Sequence, residues 1–414
     1  MKSGLVHEFR AALDDILDAW FPRVIDREHG GFLCDFDHRW KPRGPQNKML
    51  EFQARQTRLA GIAAEFLPER DDLRAAVEHG FTFLRDAMWD QEHGGFYRMV
   101  DRAGSPLEER TKHGHGTAYA ISACVVHHRV TGSDVSLDLT KRGFDWLEQH
   151  GHDTRHGGYF GYYRREGRPI LGRDDSIPDY PLRDPIGTPL GMKDVNTNKD
   201  LMETLGQVAG IWPNELVLAR LREMLDLVCQ RVIVPPGTCH MYFHPDWTPI
   251  PHCAHYGHNV HLAAVLLNAA DPLETGARGK AVATSRALLD TALEYSWVPG
   301  TGGFAYAGSA FGPVYLEDQV WYLDRKYWWP QVEGLVALVH FATKEGKSAY
   351  SDRAAALWRY IRTHLIDHRH GGWFPLGLDA GKWVRRLTKA SVWRDGSHEG
   401  MGLIKCIRIL EADG

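Results

Sequence analysis

One seven-residue motif is written four times in this 414-residue chain: "DREHGGF" from Asp26, "DQEHGGF" from Asp90, "DTRHGGY" from Asp153 and "DHRHGGW" from Asp367. "VPGTGGF" from Val298 is a fifth, weaker copy, and "PPGTCHMYF" from Pro235 a degenerate sixth. The second glycines, or the lone Gly237, fall at 31, 95, 158, 237, 303 and 372, so the spacings are 64, 63, 79, 66 and 69 residues. Self-similarity at a fixed period marks a repeated supersecondary unit, and this period suits two helices plus their loops.

Each unit has the same internal order. A Gly-Gly turn carrying an aromatic strand residue leads through a loop to one helix, a break, and a second helix. The second helices are amphipathic: Leu13, Ile16, Leu17 and Trp20, or Leu73, Val77, Phe81, Leu84 and Met88, follow the 3.6-residue period. The first helices are apolar nearly all round, as in "AYAISACVV" from Ala118, "LAAVLLNAA" from Leu262 and "GLVALVHFA" from Gly334. A helix without a polar face is enclosed on both sides. Six pairs of alternating inner and outer helices predict an all-α (α/α)6 barrel, one domain over residues 1–414, with short β-hairpins and loops at one face. The longest connection, Tyr163 to Asp194, accounts for the 79-residue spacing. A loop of that length in a compact domain is usually functional, and a lid over the barrel mouth is the expectation.

The inner helices begin with groups that do not belong in an apolar wall. These are Arg55; His113, His115 and Tyr119; Asn196, Asp200 and Glu203; the histidines of "HYGHNVH"; Lys326, Trp328, Trp329, Gln331 and Glu333; and Trp393, His398 and Glu399. Inner helices of one barrel start at one face, so the six clusters are expected to converge on an enclosed pocket. Arg55 has an inner-wall acid such as Glu51 as an alternative partner. Glu333 and Glu203 have the alternative role of buried structural partners.

His252, His255, His258 and His261 stand three apart, a spacing that invites a metal site. Pro251 holds His252 before any helix, however, and His255 falls in the approach loop. Zinc helices place histidines four apart with a carboxylate between or following, so no metal is expected. His258 and His261, on the first turn of the inner helix, are left as acid/base candidates.

"QARQTRLAG", "NTNKDLMETL", "YGHNVHLAAVLL", "KYWWPQVEG" and "WRDGSHEG" together resemble the N-acylglucosamine 2-epimerase superfamily, which includes cellobiose and mannose 2-epimerases and mannose isomerase. The resemblance covers essentially the whole chain and implies the same barrel. It implies catalytic histidines at His258 and His398 on opposite faces of an open-chain sugar. Arg55 and Asn196 would hold hydroxyls, and Trp328 or Trp329 with Trp393 would pack on the rings. Tyr119, Asp200, His261 and Glu333 complete the candidate substrate contacts.

The implied chemistry needs no cofactor, and no Gly-rich phosphate loop supports nucleotide control. The C2 hydrogen of an open-chain aldose is acidified by the neighbouring carbonyl, and its removal gives a cis-enediolate. A base titrating near the working pH does this best, and histidine's ordinary pKa is ~6.5. Returning the proton to the other face of C2 gives an epimer; delivering it to C1 gives a ketose.

The chain departs from the cellobiose epimerases twice: His261 stands where they carry glutamate, and Asp200 where they carry histidine. The exchange predicts an Asp200–His261 ion pair that lowers the aspartate pKa and raises that of the histidine.

Other classes are weaker. A glycoside or unsaturated-uronide hydrolase on the same barrel needs a carboxylic acid at the bond cleaved, and the pocket candidates are mostly histidines. A non-catalytic sugar-binding or protein-interaction barrel has no use for two opposed histidines. A net charge of −4 gives no basic excess for nucleic acid or an anionic membrane. No apolar run approaches the ~20 residues of a membrane span, and the N-terminal stretch reads as a first helix. Six scattered cysteines without a CxxC pair fit a cytoplasmic protein. Fourteen tryptophans suit the stacking of sugar rings. The expected partner is therefore a small-molecule sugar, bound by a monomer or homodimer.

Overall fold

A computed structural model describes residues 2–107, 111–174, 181–250, 252–308, 324–346 and 348–412. Twelve α-helices stand among the described residues. Six form the inner wall: α2 (Leu50–Phe66), α4 (Gly114–Thr131), α6 (Val195–Ile211), α8 (Tyr256–Ala269), α10 (Trp328–Glu345) and α12 (Ser397–Glu411). Each packs on the next, and α12 packs on α2, which closes the ring. The outer helices are α3 (Asp71–Phe83), α5 (Asp134–His150), α7 (Glu215–Leu227), α9 (Thr275–Tyr295) and α11 (Ser348–Tyr360), each against the inner helix that precedes it. The sixth pair is completed from the other end of the chain, where α1 (Lys2–Trp20) covers α12. This is the (α/α)6 barrel. No described helix is long and apolar enough to cross a membrane.

The repeated motif builds the loops at one face. The aspartate is buried at the turn in three copies and half-buried at Asp153, and in all four one of its oxygens accepts the backbone N–H groups two and three residues on. Asp26 takes Glu28 and His29, Asp90 takes Glu92 and His93, Asp153 takes Arg155 and His156, and Asp367 takes Arg369 and His370. Both glycines then turn with positive φ, 75° and 62° at Gly30 and Gly31. A Cβ on Gly31 would lie 2.6 Å from Gln53 Oε1 and 2.7 Å from Phe83 Cγ, so the second glycine answers close packing as well as backbone conformation.

Two further devices, used singly or together, join these turns to the inner helices. The aromatic residue after the glycines exchanges both backbone bonds with an inner-helix amide: Phe32 with Gln53 (2.7 and 2.7 Å), Tyr159 with Asn198 (2.8 and 3.1 Å) and Phe304 with Gln331 (2.8 and 2.9 Å). The motif aspartate also pairs with a buried lysine on the short segment entering that helix. The distances are 3.0 Å for Lys48–Asp26, 3.0 Å for Lys112–Asp90, 2.7 Å for Lys193–Asp153 and 2.7 Å for Lys389–Asp367. Three of these lysines lie in two-residue strands that pair antiparallel with a strand beyond the next turn: Lys48↔Val100, Lys112↔Tyr163 and Lys193↔Phe243. Neighbouring units are thereby stitched together at the face where the inner helices begin. Lys326 and Gln331, expected in the pocket, belong to this framework instead: Lys326 pairs with Asp379 at 2.9 Å and donates to Gly302 O.

Removing one partner of a buried ion pair costs ~3–5 kcal/mol, because the other charge stays behind. Asp26 and Asp90 each have a second cation, Arg102 and Arg165. Lys389→Met is therefore expected to lower the unfolding free energy by ~3–5 kcal/mol, and Lys112→Met by clearly less. Urea denaturation of the two variants checks the order; equal losses would assign no weight to the second cation.

Candidate active site

The first turns of the inner helices surround a cavity of about 310 Å³. Arg55 of α2, His115 and Tyr119 of α4, Asn196, Lys199 and Asp200 of α6, and His258 and His261 of α8 line it. Trp328 and Trp329 of α10 and His398 of α12 complete the wall, with Trp393 at the approach to α12. Pro185 and Ile186 reach in from the long 163–194 connection, as a lid would. Residues 175–180 of that connection lie outside the described residues.

The two candidate catalytic histidines have different surroundings. His398 Nδ1 lies 2.7 Å from Glu333 Oε1, a hydrogen bond that fixes the ring and leaves Nε2 as the nitrogen available to a substrate. Glu333 is not itself a lining residue; it stands behind His398 on the neighbouring helix. His258 Nδ1 has no hydrogen-bond partner among the described residues. Burial, reinforced by His255 and Lys199, keeps its pKa well below the usual imidazole value, so the ring is neutral. Trp329 packs against both, with ring centroids 5.2 Å from His258 and 5.7 Å from His398.

A chain of buried polar groups starts at His261, whose ring packs against His398 at 5.2 Å, and runs away through α6 and α4. Lys199 Nζ donates to Asp200 Oδ1 at 2.5 Å and lies 3.2 Å from His261 Nδ1. Asp200 Oδ2 is 3.1 Å from His115 Nε2, and His115 Nδ1 is 3.3 Å from Glu51 Oε1. Glu51 is 3.6 Å from His113 Nδ1, and His113 Nε2 reaches Asp184 of the lid connection at 3.1 Å. The expected direct Asp200–His261 ion pair is therefore not formed, because Lys199 stands between the two. Burial alone would raise the Asp200 carboxyl, but Lys199 and His115 outweigh it and hold it well below the usual range. The His261 pKa is lowered, not raised as the sequence suggested, through burial and the positive charge of neighbouring Lys199. Lys199 was missed by sequence reasoning, although it directly precedes Asp200.

Other expectations change too. Arg55 pairs with Asp395 at 3.6 Å rather than with Glu51, and its guanidinium lies 4.3 Å from the Tyr119 ring. Glu203 lies outside the pocket, bound to Arg58 at 2.8 Å. Glu399, also buried out of the pocket, accepts from Trp328 Nε1 at 3.1 Å, and burial pushes its carboxyl up to about 7. The carboxylates closest to the cavity are each engaged by a cation or a histidine, an arrangement suited to proton transfer and poor for a glycosidase acid.

The sequence profile of N-acylglucosamine 2-epimerase (GlcNAc 2-epimerase) matches residues 30–134 and 192–391. The chain is 25% identical over 406 residues to a cellobiose 2-epimerase of Bacteroides fragilis, covering 95% of each chain. It is 24% identical over 386 residues to a D-mannose isomerase of Marinomonas mediterranea, covering 88% of each. Among solved structures, cellobiose 2-epimerase from Bacillus thermoamylovorans superposes with a TM-score of 0.86 at 21% identity, covering 98% of this chain and 99% of the other.

His113 gives the site a pH signature. Burial would lower its pKa, but the hydrogen bond with Asp184 and the nearby Glu51 carboxylate prevail and raise it to about 10. A histidine raised in the folded state contributes stability that is complete below its unfolded pKa of ~6.5 and is lost as pH rises through the folded value. Asp184→Asn removes part of that contribution. The melting-temperature gap between wild type and variant should be widest near pH 6.5 and close towards pH 10. A gap independent of pH over that range would show that His113 is not held protonated by the lid.

Proposed function

The chain belongs to the N-acylglucosamine 2-epimerase family, and from that footing we propose that it is a carbohydrate isomerase working at C2 of an open-chain aldose, with a ketose as product. The observation that carries the ketose reading is the asymmetry of the two histidines: a carboxylate orients His398, and none orients His258.

Glu333 holds Nδ1–H of His398, so Nε2 presents a lone pair and acts as the base that removes the C2 proton. The resulting imidazolium is stabilised by the same carboxylate. A cis-enediolate exposes C1 and C2 to one base on one face, so His398 can return its proton to C1 while the O2 hydroxyl proton passes to the adjacent cis O1, leaving a carbonyl at C2 and a hydroxyl at C1. His258, neutral and buried, then serves as an N–H donor to an enediolate oxygen, and Arg55 offsets the charge that develops there. Epimerisation would instead need His258 to deliver a proton to the far face of C2, and no carboxylate stabilises its imidazolium. Asn196 and the Lys199–Asp200 pair are placed for sugar hydroxyls. Trp329 keeps water from the two rings, and Trp393 at the mouth offers a flat face to a sugar. The scheme needs no cofactor. Six free cysteines fit a cytoplasmic setting.

Incubation with mannose, glucose, N-acetylmannosamine and cellobiose in heavy water tests the class and the branch together. A ketose from an unsubstituted aldose, with C–O bonds intact, is the expected result. A C2 epimer with solvent deuterium at C2 and no ketose would replace the one-base scheme by a two-base one. Release of a monosaccharide from cellobiose would reject the isomerase class.

His398→Ala and His258→Ala should each lower kcat by ~10²–10⁴-fold with the fold retained. Glu333→Gln should lower kcat more than it changes KM. A folded His398→Ala enzyme that keeps more than about a tenth of the rate would remove His398 from the chemistry.

A further inference from the structure

Apart from the sugar pocket, three metal-ligating side chains converge within four residues of sequence. His252 and Cys253 lie in the approach to α8, and His255 is the residue that caps it. His252 Nδ1 is 3.1 Å from His255 Nε2 and 3.4 Å from Cys253 Sγ, while Cys253 Sγ is 3.3 Å from His255 Nε2. The three ligating atoms form a nearly equilateral triangle. Its backbone is held from outside: Ala254 exchanges both of its hydrogen bonds with Gly308, at 3.0 and 2.9 Å.

Hydrogen bonds within the triangle satisfy it poorly. Each imidazole nitrogen offers one proton or one lone pair along a single in-plane direction, yet each faces two neighbours at once. A direction that approaches both points between them, towards the middle of the triangle. Edges of this length are close to the ligand–ligand separations that tetrahedral bonds of ~2.0–2.3 Å subtend at zinc. Two imidazoles and one sulfur are also a donor set that suits borderline-soft divalent ions and discriminates against magnesium and calcium.

We propose that His252 Nδ1, Cys253 Sγ and His255 Nε2 bind one zinc-class divalent cation, with the fourth position open to water. Binding forms two metal–nitrogen bonds and one metal–sulfur bond, and the thiol proton leaves to solvent. Cys253 and His255 are buried while His252 is half-buried, which gives an ion a way in. The role is structural. The carbonyl of His255 accepts the backbone N–H of His258 at 2.9 Å, so the ion would anchor the turn that carries His258. It is distinct from the His261–Glu333–His398 group, whose donor atoms also lie within metal-binding distance of one another but belong to the sugar pocket.

Full-length protein, stripped with a chelator and kept reduced, is titrated with Co²⁺ and followed by absorption and calorimetry. One equivalent should bind, with a thiolate-to-cobalt charge-transfer band that Zn²⁺ bleaches and one proton released per ion. Cys253→Ser should abolish the band and weaken binding ~100-fold or more. His252→Gln, at a half-buried position that tolerates the change, should weaken binding while melting like wild type. His398→Ala should leave the band in place. The proposal is overturned if wild type shows no saturable binding. It is equally overturned if binding survives unchanged in both Cys253→Ser and His252→Gln, or is lost only in His398→Ala.

Discussion

The barrel depends on a buried charge pair placed just before most of its inner helices. An aspartate at the centre of a turn satisfies two backbone N–H groups, and a lysine from the next segment neutralises it. A charge in such a place is costly unless paired and hydrogen-bonded, so the turn cannot shift without exposing the cost. The amide clamps of Gln53, Asn198 and Gln331 then tie the strand residue to the helix by two bonds each, which leaves little freedom in where that helix starts. The first turns of the inner helices carry the pocket residues, and such precision is what proton transfer demands. A loop-rich face thus behaves as a rigid plate.

On that plate the polar groups form two connected sets that meet where His261 packs on His398. His258, Trp329 and the His398–Glu333 pair form one. From His261 through Lys199, Asp200, His115, Glu51 and His113 to Asp184 runs the other. Giving each buried carboxylate a cation or a histidine as neighbour lets a dry site hold many ionisable groups. It also links the lid connection electrostatically to the pocket wall.

Much of the fold was legible because its signals are local. The glycine pairs recur at positions whose positive φ and close packing exclude other residues, and the inner helices announce themselves by having no polar face. The candidate site was legible where family motifs mark helix starts, as with Arg55, Asn196, His258 and His398. What failed depends on distance in sequence. The lysine partners of the turn aspartates stand 22 or 40 residues away, and Glu333 is 65 residues from His398, so nothing local pairs them. Glu203 shares a helix face with Asp200 but lies about 4.5 Å further along the axis, past Tyr119, where Arg58 claims it. The supposed Asp200–His261 couple failed for a simpler reason: Lys199, the residue beside Asp200, occupies the space between them.

The closure of the ring by α1 and α12 carries a consequence for synthesis. Chains emerge from the ribosome N-terminus first and fold as they do so. Here α1, which emerges long before α12, packs against it. Trp20 finds early partners in Trp40 and Phe52, but the α1 face that meets α12 stays open until α12 is made, and so does one seam of the barrel. His398 is the second residue of α12, so the candidate base and the closure of the ring arrive together. Only with α12 in place does the ring close and His398 meet Glu333 of α10.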